Sequence, residues 1–367
     1  MIRKKNTTRK FYKIFFNNCL EIVYFLLYYT GIEYILSKLN NKIPFKVIMY
    51  HSVNDEKNSP AEIGISITKK KFKKQIKYLQ NRYNIISMEM LVNYFYKNAS
   101  LPKNSLLITF DDGFSDNYNN AFPILKKYNL PATIFLTSSF IDTNKILPLI
   151  MIYYGFENTK KKSIVVNYKN LDINRKNENA VLKYKLNKKW EKIKAIEKAR
   201  KIYKQLSYKE SVRFTKIIMN KLDVSTINND SLNMLKTDQI KEMQKYGISF
   251  GSHTMNHTIL TKESEKNIES ELIGSKIDIE TILNYRIDSL AYPDGGADSF
   301  NKKIRSIVQK TGYSVAFTAY NDNKENNKPY EIRRYGCIPD QNIYKFACYL
   351  SGIFFFIDKV RERFRIN

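Results

Sequence analysis

Short apolar runs recur along the chain, and polar stretches with helical spacing separate them. Such runs are typical of buried parallel strands, because helices cover both faces of a parallel sheet. The strand candidates are residues 45–50, 105–110, 132–137, 248–252, 289–293 and 313–319, and the helix candidates are residues 117–129, 237–246, 263–283 and 299–311. This alternation predicts an α/β fold, a parallel sheet or barrel covered by helices, with its functional site at the carboxyl ends of the strands.

The longest helix candidate, residues 263–283, has an amphipathic pattern. Its apolar residues near one face are Ile268, Leu272, Ile279 and Ile282. A stripe of this kind indicates a helix that packs one side against the sheet.

Residues from about 155 to 230 interrupt the alternation. The segment is rich in lysine, poor in strand candidates and patterned as helix after Val181. We interpret it as a helical insertion between two barrel strands. The residues predicted to pack it are Trp190, Ile193, Ile196 and Ile202.

Both ends of the chain combine basic residues with apolar and aromatic ones. We divide the chain into a basic, aromatic and amphipathic helical segment at 1–42, a main domain at 43–340 and an apolar, basic helix at 341–367. The longest uncharged piece near the start, residues 22–32, is shorter than the ~20 residues that a bilayer-spanning helix needs. No convincing signal-peptide pattern is present. We therefore expect a cytoplasmic or peripheral membrane protein, with the two ends contacting an anionic membrane surface.

The chain is strongly basic, with 62 Lys and Arg against 35 Asp and Glu and a formal charge of +27. This balance suits nucleic acid, anionic lipid or an anionic glycan as a partner. Because the bias runs along the whole chain and no compact nucleic-acid motif stands out, nucleic acid is the least favoured of the three. Cys19, Cys337 and Cys348 lie far apart and show no disulfide framework, which favours reduced thiols.

Two adjacent carboxylates, Asp111 and Asp112, directly follow the strand candidate 105–110 and precede Gly113. Asp-Asp-Gly is a common turn sequence, because Asp bonds nearby backbone and Gly accepts a positive φ. The position at a strand end is also where α/β proteins place their chemistry. A turn and a site are both consistent with this stretch alone.

The histidines favour a site. The chain has three, and His253 and His257 both follow the strand candidate 248–252. Their four-residue spacing predicts that both imidazoles lie on one side of a helical turn. Two imidazoles and one carboxylate form a facial metal triad with open positions, and Asp112 can supply the carboxylate. Asp111 would then remain free to act as a base.

Four motifs together resemble those of the polysaccharide deacetylase family, the NodB-homology or carbohydrate esterase family 4 proteins. They are "TFDDG" (109–113), "SHTMNH" (252–257), "AYPDGG" (291–296) and "VIMYHSV" (47–53), the last resembling a subgroup with an N-terminal Tyr-His segment. The resemblance spans about residues 45–340, with the insertion unmatched. It implies a distorted, incomplete (β/α) barrel.

The resemblance implies metal-dependent hydrolysis of N-acetyl or O-acetyl groups from a polysaccharide or lipid-linked glycan. Asp111 corresponds to the catalytic base, and the ion, expected to be zinc, would be bound by Asp112, His253 and His257. A divalent ion in such a site polarises the acetyl carbonyl and lowers the pKa of bound water. The implied partner is an N-acetylated glycan.

Further site residues are expected around the acetyl group. Tyr292, Pro293 and Asp294 correspond to the motif that would contact substrate. The departing amine needs an acid, for which His is the usual group near neutral pH. The commoner members of the family that the chain resembles take this His from a late motif near the C-terminus, but no histidine follows His257 here. His51 is therefore the expected acid, and the alternative is a packed or metal-adjacent structural histidine.

The chain departs from the family pattern in the third motif. Ala291 stands where the commonest pattern has Arg, and Asp294 stands where it has Tyr. The Arg that would orient the base is therefore missing. Arg333 and Arg334 are the nearest candidate substitutes, and the alternative is that both are ordinary surface residues.

The competing class is a catalytically silent glycan-binding or membrane-associated scaffold on the same fold. Loss of a metal ligand would favour that class, and none of the three predicted ligands is lost. The sequence therefore favours the enzyme.

Overall fold

The computed structural model describes residues 19–39, 43–55, 65–169, 171, 181–224, 232–320, 326–338 and 341–357. The strands are β1 (Phe45–Tyr50), β2 (Ser52–Val53), β3 (Ser66–Ile67), β4 (Asn84–Ile85), β5 (Ser105–Phe110), β6 (Ala132–Leu136), β7 (Ser163–Asn167), β8 (Val181–Lys185), β9 (Ile248–Ser252), β10 (Ser289–Ala291), β11 (Val315–Phe317) and β12 (Tyr335–Gly336). The helices are α1 (Cys19–Tyr29), α2 (Ile32–Leu39), α3 (Lys69–Arg82), α4 (Met88–Tyr96), α5 (Phe122–Lys127), α6 (Pro148–Asn158), α7 (Lys189–Tyr203), α8 (Tyr208–Leu222), α9 (Thr237–Gln244), α10 (Glu265–Leu283), α11 (Lys302–Lys310) and α12 (Ile343–Leu350).

The main sheet is parallel, in the order β11-β10-β9-β6-β5-β1-β12, with β4 paired to the start of β5. Every residue of β5 and β6 is buried. Their apolar runs follow from this burial, because helices cover the sheet. Each of the six strand candidates contains a strand of this sheet, so the predicted α/β alternation is confirmed.

The sheet curls until its two edges are bridged. After β11, Ile332 pairs with Phe317 of β11, and three residues later Tyr335 pairs with Ile48 of β1. The segment 332–336 therefore spans the gap between the first and last strands. The result is the distorted (β/α) barrel that the resemblance implied.

Helix α10 follows its predicted pattern. It begins after Ser264, whose hydroxyl accepts a hydrogen bond from the backbone of Asn267, and it ends at Asn284 in the left-handed conformation. The predicted stripe faces the core, with Ile268, Leu272 and Ile279 buried and Ile282 partly buried.

The segment between β6 and β9 contains helices α6, α7 and α8 and also an antiparallel hairpin of β7 and β8. The expectation of a strand-poor insertion beginning near residue 155 missed this hairpin and the earlier start of α6 at Pro148. The segment between β6 and β9 forms its own hydrophobic cluster around Phe156, Phe214 and Ile218. Residues 170, 172–180 and 225–231 of this segment lie outside the described residues.

The predicted packing of α7 is half right. Ile196 is buried and Ile202 partly buried, but Trp190 and Ile193 are exposed. The buried face of the helix is formed by Ala195, Ile196, Ala199 and Tyr203. At 100° per residue, Trp190 and Ile193 point to the other side of the helix.

The N-terminal helices α1 and α2 meet at a bend of 75°. Of the helices described, none alone has the length and apolar character to cross a bilayer, although α1 and the following residues 32–38 meet that test as a bent pair. The basic stretches predicted at the two ends, residues 3–13 and 359–365, lie outside the described residues.

Candidate functional site

The carboxylate pair lies at the carboxyl end of β5. The Asp111 amide extends the strand pairing by donating to the Tyr50 carbonyl, with N···O 2.9 Å. Asp112 and Gly113 then adopt left-handed backbone, with φ of 73° and 83°. A Cβ at Gly113 would lie 2.9 Å from the Leu136 side chain, so this position needs glycine. Asp-Asp-Gly is therefore both a turn and part of the site.

The first histidine extends β9 and has a defined tautomer. His253 Nδ1 lies 2.8 Å from the Ala291 carbonyl oxygen. Because a carbonyl only accepts, Nδ1 must carry a proton, so Nε2 is the nitrogen that presents a lone pair when the ring is neutral. That Nε2 is 3.5 Å from Asp112 Oδ1, and Nε2 of His257 is 3.3 Å from the same oxygen.

The turn that carries the two histidines is not helical, and the sequence prediction was wrong on this point. Thr254 and His257 have φ of 65° and 57°, in the left-handed region that β-branched Thr rarely enters. The Glu271 carboxylate on α10 accepts from the backbone N–H groups of Met255 and Asn256, at 2.9 and 3.0 Å. This strained turn, held by Glu271, brings the imidazole centroids to 4.9 Å.

The arrangement fits a divalent cation. Asp112, His253 and His257 each offer one ligand atom, and these atoms lie within 4.8 Å of one another. Asp112 Oδ1 is buried and accepts no hydrogen bond of normal geometry from any described residue. A buried carboxylate oxygen in this condition is costly unless a cation meets it. Two imidazoles and one carboxylate form a triad with open positions for further ligands.

The protonation of this cluster follows from its geometry. Burial by itself would raise the pKa of Asp112, but the two neighbouring imidazoles outweigh it and hold the pKa well below its usual range. Burial would lower the pKa of His257, and the Asp112 carboxylate reverses this and raises it. Asp112 is therefore ionised at neutral pH, as a metal ligand must be.

Asp111 is held by an arginine from the segment that bridges the barrel. Arg334 Nη1 and Nη2 donate to Asp111 Oδ1 and Oδ2 at 2.6 and 2.7 Å, and Arg334 Nε donates to the Thr318 carbonyl at 2.6 Å. Arg334 is 0% exposed, so the alternative of a surface residue is wrong for it. Burial would raise the pKa of Asp111, but the Arg334 charge outweighs it and the pKa is lowered.

Its neighbour Arg333 points elsewhere. Its guanidinium lies 3.4 Å from the Glu331 carboxylate and 5.9 Å from the centre of the Tyr320 ring. Of the two candidates for orienting the base, the structure therefore brings only Arg334 to Asp111.

His51 and part of the third motif line the same cavity. His51 connects β1 to β2 and lines the cavity, and burial lowers the pKa of its imidazole against the opposing charges of Asp112 and Asp111. The Tyr292 hydroxyl donates to the Tyr330 carbonyl at 3.1 Å, so its proton is already used in a hydrogen bond within the protein. Pro293 is buried and does not line the cavity.

The cavity has a volume of about 220 Å³. On one side lie the two aspartates and all three histidines. The other wall comes from the segment between β6 and β9, through Leu147, Ile150, Tyr153, Tyr203 and Lys204. Sequence analysis gave this segment no part in the site. The only sequence cue was the unusual Asp294, which forms an ion pair with Lys204 of this wall.

The fold and the site define a class: a curled (β/α) barrel that can hold a divalent cation beside a buried, ionised carboxylate. A family model described as polysaccharide deacetylase matches residues 98–316, more than half of the chain. The chain therefore belongs to the polysaccharide deacetylase family.

Known proteins resemble the chain at moderate distance. YxkH of Bacillus subtilis (strain 168) is 22% identical over 278 residues, which cover 76% of this chain and 64% of YxkH. The poly-beta-1,6-N-acetyl-D-glucosamine N-deacetylase of Staphylococcus epidermidis is 39% identical over 79 residues, covering 21% of this chain and 27% of that protein. Both matches span less than two thirds of the relative's own length.

A solved structure shares the fold. The Streptococcus pyogenes deacetylase PplD, in complex with acetate, superposes with a TM-score of 0.55 and 19% identity, covering 84% of this chain and 99% of that one.

The Asp111–Arg334 pair generates a stability prediction. Arg334→Met should lower the free energy of unfolding by about 3–5 kcal/mol at neutral pH, because it leaves a buried carboxylate without its counter-charge. The adjacent Arg333→Met should cost much less, because Glu331 also pairs with Arg305. Urea denaturation of both variants measures the difference.

The same comparison has a pH dependence with a defined sign. The lowered pKa of Asp111 means that the stabilisation by Arg334 is present above the unfolded-state pKa and is lost as pH falls through the folded-state pKa. The deficit of Arg334→Met should therefore shrink in acid. Equal losses from the two variants, or a deficit independent of pH, would contradict this account.

Proposed function

We propose that this chain is a metal-dependent hydrolase that removes N-acetyl groups from a polysaccharide or a lipid-linked glycan. O-acetyl groups are the alternative substrate groups. The observation that carries the proposal is one cavity in which an ionised Asp111, held by Arg334, adjoins the cluster of Asp112, His253 and His257. Family membership supports the reaction. The staphylococcal relative, named for poly-beta-1,6-N-acetyl-D-glucosamine, supports an N-acetylhexosamine glycan as the substrate class.

The residues divide the chemistry among them. Asp112, His253 and His257 would hold the ion, for which the donor set suits zinc. When bound, the ion supplies Lewis-acid polarisation of the acetyl carbonyl and a lowered pKa for water. Asp111 takes the proton of the attacking water, because Arg334 keeps it ionised and each carboxylate oxygen retains a second lone pair beside its bond to Arg334.

His51 is the proposed acid for the departing amine. Hydrolysis of an amide produces an amine that must gain a proton, and an imidazole is well suited to give one near neutral pH. His51 lines the cavity together with Asp111 and Asp112. Tyr292 and Asp294 line the cavity too, and in this proposal they shape the space for the sugar.

A catalytically silent scaffold is the alternative. It would need neither the metal ligands nor an ionised base. The bidentate Arg334 pair favours the enzyme, because it keeps Asp111 ionised beside the three possible metal ligands, an arrangement that a protein binding glycan alone does not need.

The first test separates the base from the ligands. Asp111→Asn should keep stoichiometric metal yet lower acetate release from N-acetylglucosamine oligomers roughly 10²–10⁴-fold, the usual worth of general-base catalysis. His257→Ala should lose the metal itself, because it removes a ligand. Elemental analysis and an acetate assay, with and without chelator, measure both. Metal loss in Asp111→Asn, or full metal in His257→Ala, would reverse these roles.

The second test concerns the acid. His51→Ala should lower kcat about 10²–10⁴-fold while the protein keeps its metal, because the imidazole donates a proton and binds no ion in this proposal. Turnover and metal content are measured on the same preparation. Normal turnover would remove the acid role from His51, and metal loss would make it a ligand instead.

We also propose that helices α1 and α2 dock on an anionic membrane surface. They expose apolar side chains, among them Ile22, Leu26 and Ile35 at 59, 53 and 56%. Exposed apolar side chains that adjoin one another often mark a surface that contacts a membrane or another protein. Basic residues precede it in the sequence at positions 3–13, and the whole chain carries +27. Apolar insertion with cationic attraction is the usual basis of binding to anionic lipid.

Vesicle co-sedimentation tests the docking surface. The protein should bind vesicles containing phosphatidylglycerol, and binding should weaken with salt, since each basic residue near the surface contributes ~1 kcal/mol. The double variant Ile22→Glu, Leu26→Glu should bind much less. Ile277→Glu is the matched control, because Ile277 is 58% exposed on α10, which is not part of the proposed docking surface. Equal binding to neutral vesicles, or unchanged binding of the double variant, would refute the docking surface.

A further inference from the structure

The segment that follows the carboxylate pair forms hydrogen bonds with the chain around His51. Asp116 is 2% exposed, and its Oδ1 accepts a hydrogen bond from the Val53 amide at 3.2 Å. Its Oδ2 accepts from the Ser52 hydroxyl. These two residues directly follow His51, so Asp116 fixes the backbone on the C-terminal side of the imidazole.

Two asparagines hold the carbonyl groups of the same loop. Asn117 Nδ2 donates to the His51 carbonyl at 2.7 Å and to Asp116 Oδ1 at 3.1 Å. Asn120 Nδ2 donates to the Val53 carbonyl at 2.7 Å. Residues Asn117–Ala121 form a π-helical turn, a wide form of helix that occurs often at functional sites.

The N-terminal side of His51 is held by the same stretch of chain. The Asp111 amide donates to the carbonyl of Tyr50, the residue before His51. Residues 111–120 therefore carry the proposed base, one metal ligand and the anchors on both sides of the proposed acid. This connection fixes the distance between acid and base, which must act on opposite sides of one acetyl group.

We propose that Asp116 is a positioning residue that sets the place of the His51 imidazole through Ser52 and Val53. The inference rests on the proposed function, and it adds a residue that touches no substrate, because Asp116 is not among the residues that line the cavity. Asn117 acts in the same way through the His51 carbonyl.

The choice of a carboxylate at this position supports a specific role. Four donors converge on Asp116, from Ser52, Val53, Asn54 and Asn117, and an ionised carboxylate only accepts. Burial nevertheless raises the pKa of Asp116 to about 6, so these hydrogen bonds do not fully offset the cost of desolvation. The carboxylate supplies the acceptor oxygens that these buried donors need, and it is kept here despite the cost of its own burial.

The kinetic test compares two substitutions of Asp116. Asp116→Ala removes the acceptor for all of these hydrogen bonds and should lower kcat about 10–100-fold, with KM and metal content unchanged. Asp116→Asn should recover most of the loss, because its amide oxygen still accepts from Val53 and Asn117. Asp142→Ala is the matched control: Asp142 also accepts from a backbone amide and a hydroxyl, both of Thr237, but outside the cavity.

A double-mutant cycle then identifies the route of the effect. In a His51→Ala background, Asp116→Ala should lower kcat no further, because the imidazole that it positions is absent. In an Asp111→Asn background it should still lower the residual rate. Additive losses with His51→Ala, loss of metal in Asp116→Ala, or equal losses from Asp142→Ala would overturn the proposal.

A spectroscopic readout keeps the test independent of the reaction. The chain has only three histidines, so the imidazole NMR signals of ¹⁵N-histidine-labelled protein can be assigned by single substitution. Asp116→Ala should shift or broaden the His51 signals and leave those of His253 and His257 in place, whereas Asp142→Ala should move none. An unchanged His51 signal would refute the positioning role. If the wild-type protein released no acetate and Asp116→Ala still shifted the His51 signals, the proposed function would be refuted and the positioning role would stand.

Discussion

The buried pair of Asp111 and Arg334 is the interaction on which the site depends. Arg334 belongs to the segment that bridges β11 and β1, so the barrel closes by bringing this guanidinium to the end of β5. Both groups are almost fully buried, and either one alone would be an uncompensated charge. The closure of the sheet and the ionisation of Asp111 are therefore coupled, and an intact barrel contains an ionised carboxylate beside the possible metal ligands.

Two adjacent carboxylates would repel each other if they shared one environment. The left-handed backbone at Asp112 separates them, so that Asp111 faces Arg334 while Asp112 faces the two imidazoles. Similar left-handed residues occur at Thr254, His257 and Asp294 around the same cavity. Such conformations persist only where the surroundings enforce them, here through Glu271 beneath the histidine turn and Ser299 beside Asp294. Among the described non-glycine residues with positive φ, the two that are neither Asn nor Asp, Thr254 and His257, both belong to the histidine turn.

The segment between β6 and β9 gives the site its second wall. Lys204 at the end of α7 pairs with Asp294, the residue at which the chain departs from the family pattern. The two positions at which the third motif departs from the family pattern, 291 and 294, thus relate to different contacts in the structure. Position 291 lacks an Arg, and Arg334 is the arginine that contacts Asp111, whereas the aspartate at position 294 connects the wall to the loop after β10.

The sequence alone determined the α/β class, the six principal strands and the residues Asp111, Asp112, His253 and His257, because period, strand ends and motif spacing are local properties of the chain. It did not distinguish which of Arg333 and Arg334 contacts Asp111. It also predicted a helical turn where Thr254 and His257 adopt left-handed backbone. It gave no role to Asp116, Glu271 or Lys204. Only the tertiary structure decided these points, because each depends on a partner far away along the chain: Arg334 lies 223 residues from Asp111, and Asp116 lies 64 residues from Ser52. Local pattern fixes which residues stand at the strand ends, whereas the closure of the barrel decides which of them meet.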